Sequence, residues 1–341
     1  SLVEMASESI DLTNFRSKVE NPTDYHYSFF AGRKVWIFSQ THVKQPMFNW
    51  GHRVHFVGGY AIAYDPESQS YGDAIEVPPL AEDFENGEEI LFVTNGVVYL
   101  LLATSYNLAD FVSLHKWTGE TWEIVQQYKD LDEEKKRIFD VQYHSHTNYA
   151  VVNGNIDGDQ IVLAAPSSSI QVHRINVTTG TTELIAEISE EANVMHGQAI
   201  GGFVLGDFIY VSYGVHGCGF MWQKQELLKL NVNDKEVSTV SISGDYTTQP
   251  PFDFSGPTLK EVTKEGKWLA IAGSTRVGMH DYKFNGEIWT LSLGDEPTWE
   301  KLEFELEEKE RGDEFVGGYD VESNKLYVLS QNSVKTYTLF E

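Results

Sequence analysis

Lys34-Val35-Trp36-Ile37-Phe38 follows a short turn, and the same device of a turn running into β-formers returns five times. The copies are Val97-Val98-Tyr99-Leu100-Leu101, Gln160-Ile161-Val162-Leu163-Ala164, Phe208-Ile209-Tyr210-Val211, Trp268-Leu269-Ala270-Ile271 and Lys325-Leu326-Tyr327-Val328. Aligned on Trp36, Tyr99, Val162, Tyr210, Ala270 and Tyr327, they are spaced by 63, 63, 48, 60 and 57 residues. That period is too long for ankyrin or leucine-rich units and suits a propeller blade with long loops. An array closed into one ring makes 341 residues a single domain, 1–341, where length alone suggests two or three.

Working outward, each central run leads through a loop to a third run and a tight turn. Ala61 to Pro66 turns through Glu67 to Tyr71 into Ala74 to Pro79, and Val112 to Trp117 turns at Thr118-Gly119 toward Trp122. Val172 to Val177 turns at Thr179-Gly180, Leu228 to Val232 at Asn233-Asp234, and Ile288 to Leu293 at Gly294-Asp295 toward Trp299. Their alternation marks strands with one buried face. The expected fold is all-β: a six-bladed propeller of four-stranded blades over residues 24–79, 90–127, 144–187, 198–243, 255–304 and 315–340. The sixth copy ends at Leu339 with no fourth strand after it. The alternating segment 9–15 is expected to fill that place as an N-terminal outer strand and close the ring.

Hydrophobic residues make up 41% of the chain, enough for a core, and no apolar run approaches the roughly 20 residues that span a bilayer. The start has neither a basic nor an apolar signal region, and Met5 reads as a native start behind a vector-derived stretch. Cys218 is the single cysteine, so no disulfide framework exists, and cytoplasmic or nuclear residence is expected. With 25 basic and 51 acidic residues the formal charge is −26, which opposes binding to a phosphate backbone and favours a basic partner.

Tyr64-Asp65-Pro66 leading to Val77-Pro78-Pro79-Leu80, the Gly58-Gly59 doublet, and the turn-to-Trp spacing at Trp122 and Trp299 resemble the kelch family of propellers. Doublets at Gly201-Gly202 and Gly317-Gly318 sit at a different point of the repeat, so the resemblance is divergent. It implies a six-bladed ring and protein or peptide binding on the loop-rich face.

On that face the sequence gathers histidines and aromatics. His26, His144, His146 and His196 fall at the starts of inner strands, and His42, His52, His55, His216 and His280 in second-to-third connections. Trp50, Phe220, Trp222 and Tyr282 share those connections, and buried aromatics carry much of an interface's energy. Trp50, His52, His55, His216, Phe220, Trp222, His280 and Tyr282 are therefore the expected partner-binding set. The acidic runs from Glu82 to Glu89 and from Glu303 to Glu314 frame the same face. His26, His146 and His196 form a second set at the channel mouth. No phosphate loop, nucleophile elbow or zinc helix is written locally, and His216-Gly217-Cys218-Gly219 lacks a third positioned group. The leading expectation is a non-enzymatic protein- or peptide-binding propeller with no cofactor, no metal and no nucleic-acid or membrane partner. The alternative is an enzyme with a His-lined site at the channel mouth, with or without a metal.

Overall fold

The computed structural model describes residues 2–5, 22–46, 52–78, 87–104, 110–130, 147–166, 169–189, 198–217, 220–223, 226–242, 259–271, 274–276, 282–284, 286–294, 297–303, 306, 316–330 and 333–340. All regular structure among them is strand. After β1 (Leu2–Met5), the first sheet joins β2 (Pro22–Ala31), β3 (Lys34–Pro46) and β4 (His52–Asp65), with β5 (Ser70–Tyr71) and β6 (Ile75–Val77) both pairing β4. The second runs in order through β7 (Gly87–Thr94), β8 (Val97–Thr104), β9 (Phe111–Trp117) and β10 (Trp122–Gln127). The next four are β11 (Asn148–Ile156), β12 (Asp159–Ala165), β13 (Ser169–Ile175) and β14 (Thr182–Ser189). A single parallel bridge, Asn153 to Phe203, ties β11 to β15 (Gln198–Leu205), which pairs β16 (Phe208–Gly217). β16 pairs both the short β17 (Phe220–Gln223) and β18 (Glu226–Asn231), and β19 (Val237–Ser241) follows β18. Next come β20 (Leu259–Val262), β21 (Trp268–Ile271), β22 (Ser274–Arg276), β23 (Tyr282–Phe284), β24 (Ile288–Ser292) and β25 (Thr298–Lys301). Of these β20, β21, β24 and β25 make one sheet, while β22 and β23 make a hairpin. The last sheet is β26 (Val316–Asp320), β27 (Lys325–Ser330) and β28 (Ser333–Thr338), with β1 on its outer edge.

The arrangement is propeller-like: antiparallel up-and-down sheets whose first strands meet. β2 contacts β7, β7 contacts β11, β11 contacts β15 and β20, β20 contacts β26, and β26 returns to β2. The six runs that opened the sequence argument are the second strands β3, β8, β12, β16, β21 and β27, buried on both sides. Val35, Leu101, Ile161, Ile209, Leu269 and Leu326 have no accessible surface. Side chains on alternate strand positions pack against the sheet before and the sheet after. Thus Phe92 joins Tyr99, Phe111 and Val162 in one cluster while Val93 and Leu91 join Phe38, Val98 and Trp117 in another.

Local turn chemistry explains the pairing. Gly32-Arg33, Asn95-Gly96 and Asp157-Gly158 each hold two positive φ values between directly paired strand ends, the two-residue hairpin whose twist matches the strands. The expected outer hairpins are present as β9–β10, β13–β14, β18–β19 and β24–β25. In one of them the Asn176 carboxamide oxygen accepts the Thr178 and Thr179 backbone N–H groups at 3.1 and 2.9 Å.

Two expectations change. The strand on the outer edge of β28 is Leu2–Met5, with Leu2 opposite Tyr337 and Met5 opposite Val334; residues 9–15, where the sequence places it, lie outside the described residues. Second, three of the second-to-third connections read as loops are extended hairpin arms. β3 and β4 continue their ladder to Pro46 opposite His52, β16 carries Gly217 opposite Phe220, and Arg276 faces Tyr282. β-Branched and aromatic residues at alternate positions let these arms satisfy their own backbone groups by pairing.

Candidate functional site

Where the first strands meet they enclose a cavity of about 410 Å³. Its wall is built from Tyr27–Phe30 on β2, Glu88–Val93 on β7, Tyr149–Gly154 on β11, Ile200 on β15, Leu259–Glu261 on β20 and Gly318–Tyr319 on β26. Besides its aromatic residues, Glu88, Glu89, Lys260 and Glu261 line the cavity.

Glu261 is the group whose chemistry the fold alters most. It keeps some accessible surface because it opens on the cavity, yet protein surrounds it, and that burial is the first cause of its raised pKa, pushed up to about 7. A backbone bond from Val262 pulls weakly the other way. Burial thus keeps the proton on this carboxyl to a higher pH than an ordinary carboxylate holds it, as a general acid requires. Its strand alternation turns it toward the last sheet, where Tyr319 sits; burial, then the charges of Glu265 and Glu261, raise the Tyr319 phenol. Tyr149 is likewise raised, first by burial, with Asp110 and Glu88 adding to it, and its hydroxyl donates to the Thr104 carbonyl at 2.6 Å. Both phenols stay neutral and act as wall and hydrogen-bonding groups.

The strand that carries Glu261 is braced by the neighbouring β11. The Asn153 carboxamide donates to the Lys260 carbonyl at 2.8 Å and accepts from the Trp268 indole N–H at 3.2 Å. The neighbouring turn region is tied by Gln160, whose amide donates to the Val152 carbonyl at 2.7 Å and whose oxygen accepts the Thr94 hydroxyl.

The expected site residues distribute differently. His52 and His55 lie on β4, His216 on β16, Phe220 and Trp222 on β17 and Tyr282 on β23, all on the hairpin arms rather than on loops. Trp50 and His280 lie outside the described residues. Of the channel-mouth set, His26 lies on β2 opposite Ser39, while His146 and His196 lie outside the described residues. No three His, Cys, Asp or Glu side chains gather as a metal set among the described residues. Glu88 and Glu89, read as part of an acidic rim between blades, belong to β7 and line the cavity. Lys260 and Glu261 were passed over altogether, since Leu259-Lys260-Glu261-Val262 matches no motif; charge inside the first strand of a repeat is the signal that points to them.

No protein-family model and no curated protein sequence matches the chain, so the kelch resemblance rests on its local motifs alone. Among solved structures, the Dos1 propeller aligns at 10% identity and a TM-score of 0.38, over 89% of this chain and 74% of that one. An endo-1,4-β-xylanase from Bacteroides thetaiotaomicron aligns at 10% identity and 0.40, over 82% and 94%. An α-L-arabinofuranosidase from Clostridium thermocellum aligns at 10% and 0.40, over 83% and 96%. Several aligned structures, a mannoside-active family among them, are described as glycan-active enzymes, which stands against the expectation of a non-enzymatic binder. The expectation of a non-enzymatic binder is set aside on that finding. At TM-scores below 0.5 these likenesses assign the chain no role.

Proposed function

We propose that the sheets are six blades of one ring spanning residues 1–341, with β1 completing the last blade, and that the chain cleaves glycosidic bonds in its central cavity. The closed circuit of contacts from β2 through β7, β11, β15, β20 and β26 supports the ring. The observation that carries the activity is a pair of carboxyls in one cavity wall, Glu261 on β20, whose pKa burial raises, and Glu89 on β7, on the arc beyond β26 and β2.

Glycosidic cleavage asks for that division of labour. A protonated carboxyl gives its proton to the leaving oxygen as the C–O bond breaks, and a second, ionised one acts from the opposite side of the sugar ring. Here Glu261 donates, and Glu89 takes the proton of the attacking water or attacks the anomeric carbon itself. Half-buried Tyr27, Phe29, Phe30 and Tyr149 line the same cavity, and aromatic surface of that kind suits the apolar C–H faces of a pyranose. Histidine is not required in this chemistry, and the carboxylates replace the imidazoles as its centre.

Hydrolysis of a panel of nitrophenyl glycosides and oligosaccharides tests the reading. At least one is cleaved, kcat/KM falls as pH rises past about 7, and Glu261→Gln lowers kcat by about 10²- to 10⁴-fold. No cleavage across the panel, or full activity in Glu261→Gln, overturns it.

A further inference from the structure

Strand β11 is interrupted where it passes the cavity. Val151 faces Val162 and Asn155 faces Gln160, so the three residues Val152, Asn153 and Gly154 stand opposite the single Ile161 in a bulge. A bulge re-aims the side chains within it and is held only where something satisfies its freed backbone groups. Gln160 does so, its buried amide donating to the Val152 and Ile161 carbonyls at 2.7 and 3.0 Å. Gly154 has φ +85, and a Cβ there would stand 3.3 Å from the Cβ and carbonyl oxygen of Val204 and 3.6 Å from Val262 Cγ2. Only glycine meets both demands, a left-handed backbone and close passage by the sheets of β15 and β20.

The product of this kink is the placement of Asn153. Its backbone bridges Phe203 on β15, and its side chain reaches past that sheet to β20 and β21. The Trp268 ring that holds the carboxamide oxygen is fully buried and stacks on Phe203 at 5.8 Å, so the amide cannot swing. Among the described residues β20, four residues long, pairs with β21, and on its other edge this carboxamide bonds the carbonyl next to Glu261.

We infer that the Asn153-Gly154 bulge is a positioning device, in which the carboxamide of Asn153, locked by the Trp268 indole, grips the Lys260 carbonyl and thereby fixes where the Glu261 carboxyl stands in the cavity wall. This rests on the proposed role of Glu261 and names a residue that acts through it. Burial of that carboxyl depends on β20 staying against β11; released, the strand admits water and Glu261 ionises like an ordinary carboxylate. The other titratable groups that share the wall are Lys260 beside it, Glu88 and Glu89 on β7, Tyr149 on β11, Tyr27 on β2 and Tyr319 on β26.

The test reads Glu261 without any substrate, by NMR titration of protein carrying ¹³C-carboxyl glutamate, with the signal assigned by its absence in Glu261→Gln. Wild type should titrate near 7. Asn153→Ala should bring the midpoint down by about one pH unit or more. Asn95→Ala is the control: it removes a comparable inter-sheet bond, to the Gly158 carbonyl at 3.2 Å, away from the cavity, and should leave the midpoint unchanged. Should Asn153→Ala not fold, Asn153→Leu removes the donor to the Lys260 carbonyl at nearly the same volume and without adding charge, and should lower the midpoint in the same direction. A wild-type value near 7 with no shift in the Asn153 variants overturns the positioning role alone. A wild-type value near 4.5 overturns Glu261 as the acid, and the positioning role with it.

Discussion

Glu261 costs the fold stability, and the sign of that cost is fixed by the direction of its shift. A carboxyl whose pKa rises from 4.5 to about 7 on folding resists ionisation in the native state, so stability is full below about 4.5 and is lost as pH climbs through 7. At pH 8 the loss approaches about 3 kcal/mol, since each pKa unit is worth about 1.4. Glu261→Gln should therefore raise stability toward denaturant at pH 8 by roughly 2–3 kcal/mol and do nothing at pH 4.5. An equal effect at both pH values would mean that packing, not ionisation, is responsible. His115 and His173 are the opposite kind of buried titratable group. Both are lowered by burial, His173 to about 4, and each bonds a side chain two residues away on its own strand, Ser113 and Gln171. Nothing in the sequence separates the two kinds, because burial is made by neighbours many residues away.

Elements were far more legible than the site. A strand needs only alternation, and a hairpin only a turn whose residues tolerate positive φ, so both are written within ten or so residues. The arms at β3–β4, β16–β17 and β22–β23 escaped because their histidines and aromatics read as surface chemistry, although the same residues are good strand formers. The Gly317-Gly318 doublet is visible in the sequence, but its cause is a neighbouring sheet and is not. Gly317 and Gly318 lie on β26, where the Gly317 N–H donates to the Ser28 hydroxyl at 2.9 Å and a Cβ on Gly318 would meet the Phe30 nitrogen at 2.7 Å and its Cβ at 2.9 Å. Gly318→Ala has to push β2 from β26 and should cost about 1–3 kcal/mol in urea unfolding. Gly294→Ala, where a Cβ meets nothing within 4 Å, is the matched control. Equal stability of the two variants would show that this seam yields without strain.

The ring proposed above has to be held shut where its first and last sheets meet, and two contacts are placed to share the task. One is the glycine-permitted contact of β2 with β26, reinforced by Phe30 stacked on Tyr327 with ring centres 5.6 Å apart. The other is β1, paired with β28 from Leu2 to Met5, so that the chain's beginning finishes the sheet made by its end. The need for an outer strand was legible from the missing fourth run after Leu339. Which segment supplies it was not, because alternation over four to seven residues fits Leu2–Met5 as well as 9–15 and pairing is decided by register in space. Deleting residues 1–5 bares the edge of β28, a strand in which Val334 and Tyr337 are buried. Unpaired edges invite pairing with a second chain, so the truncated protein should lose roughly 2–3 kcal/mol of stability or associate through that edge. Melting followed together with light scattering reads both outcomes. If β1 is the closing strand, a synthetic Leu2–Met5 peptide fused after residue 341 by a flexible linker should restore the melting temperature, because the edge does not distinguish which terminus fills it. Unchanged melting in the deletion, with no association, would mean that the β2–β26 seam alone closes the ring.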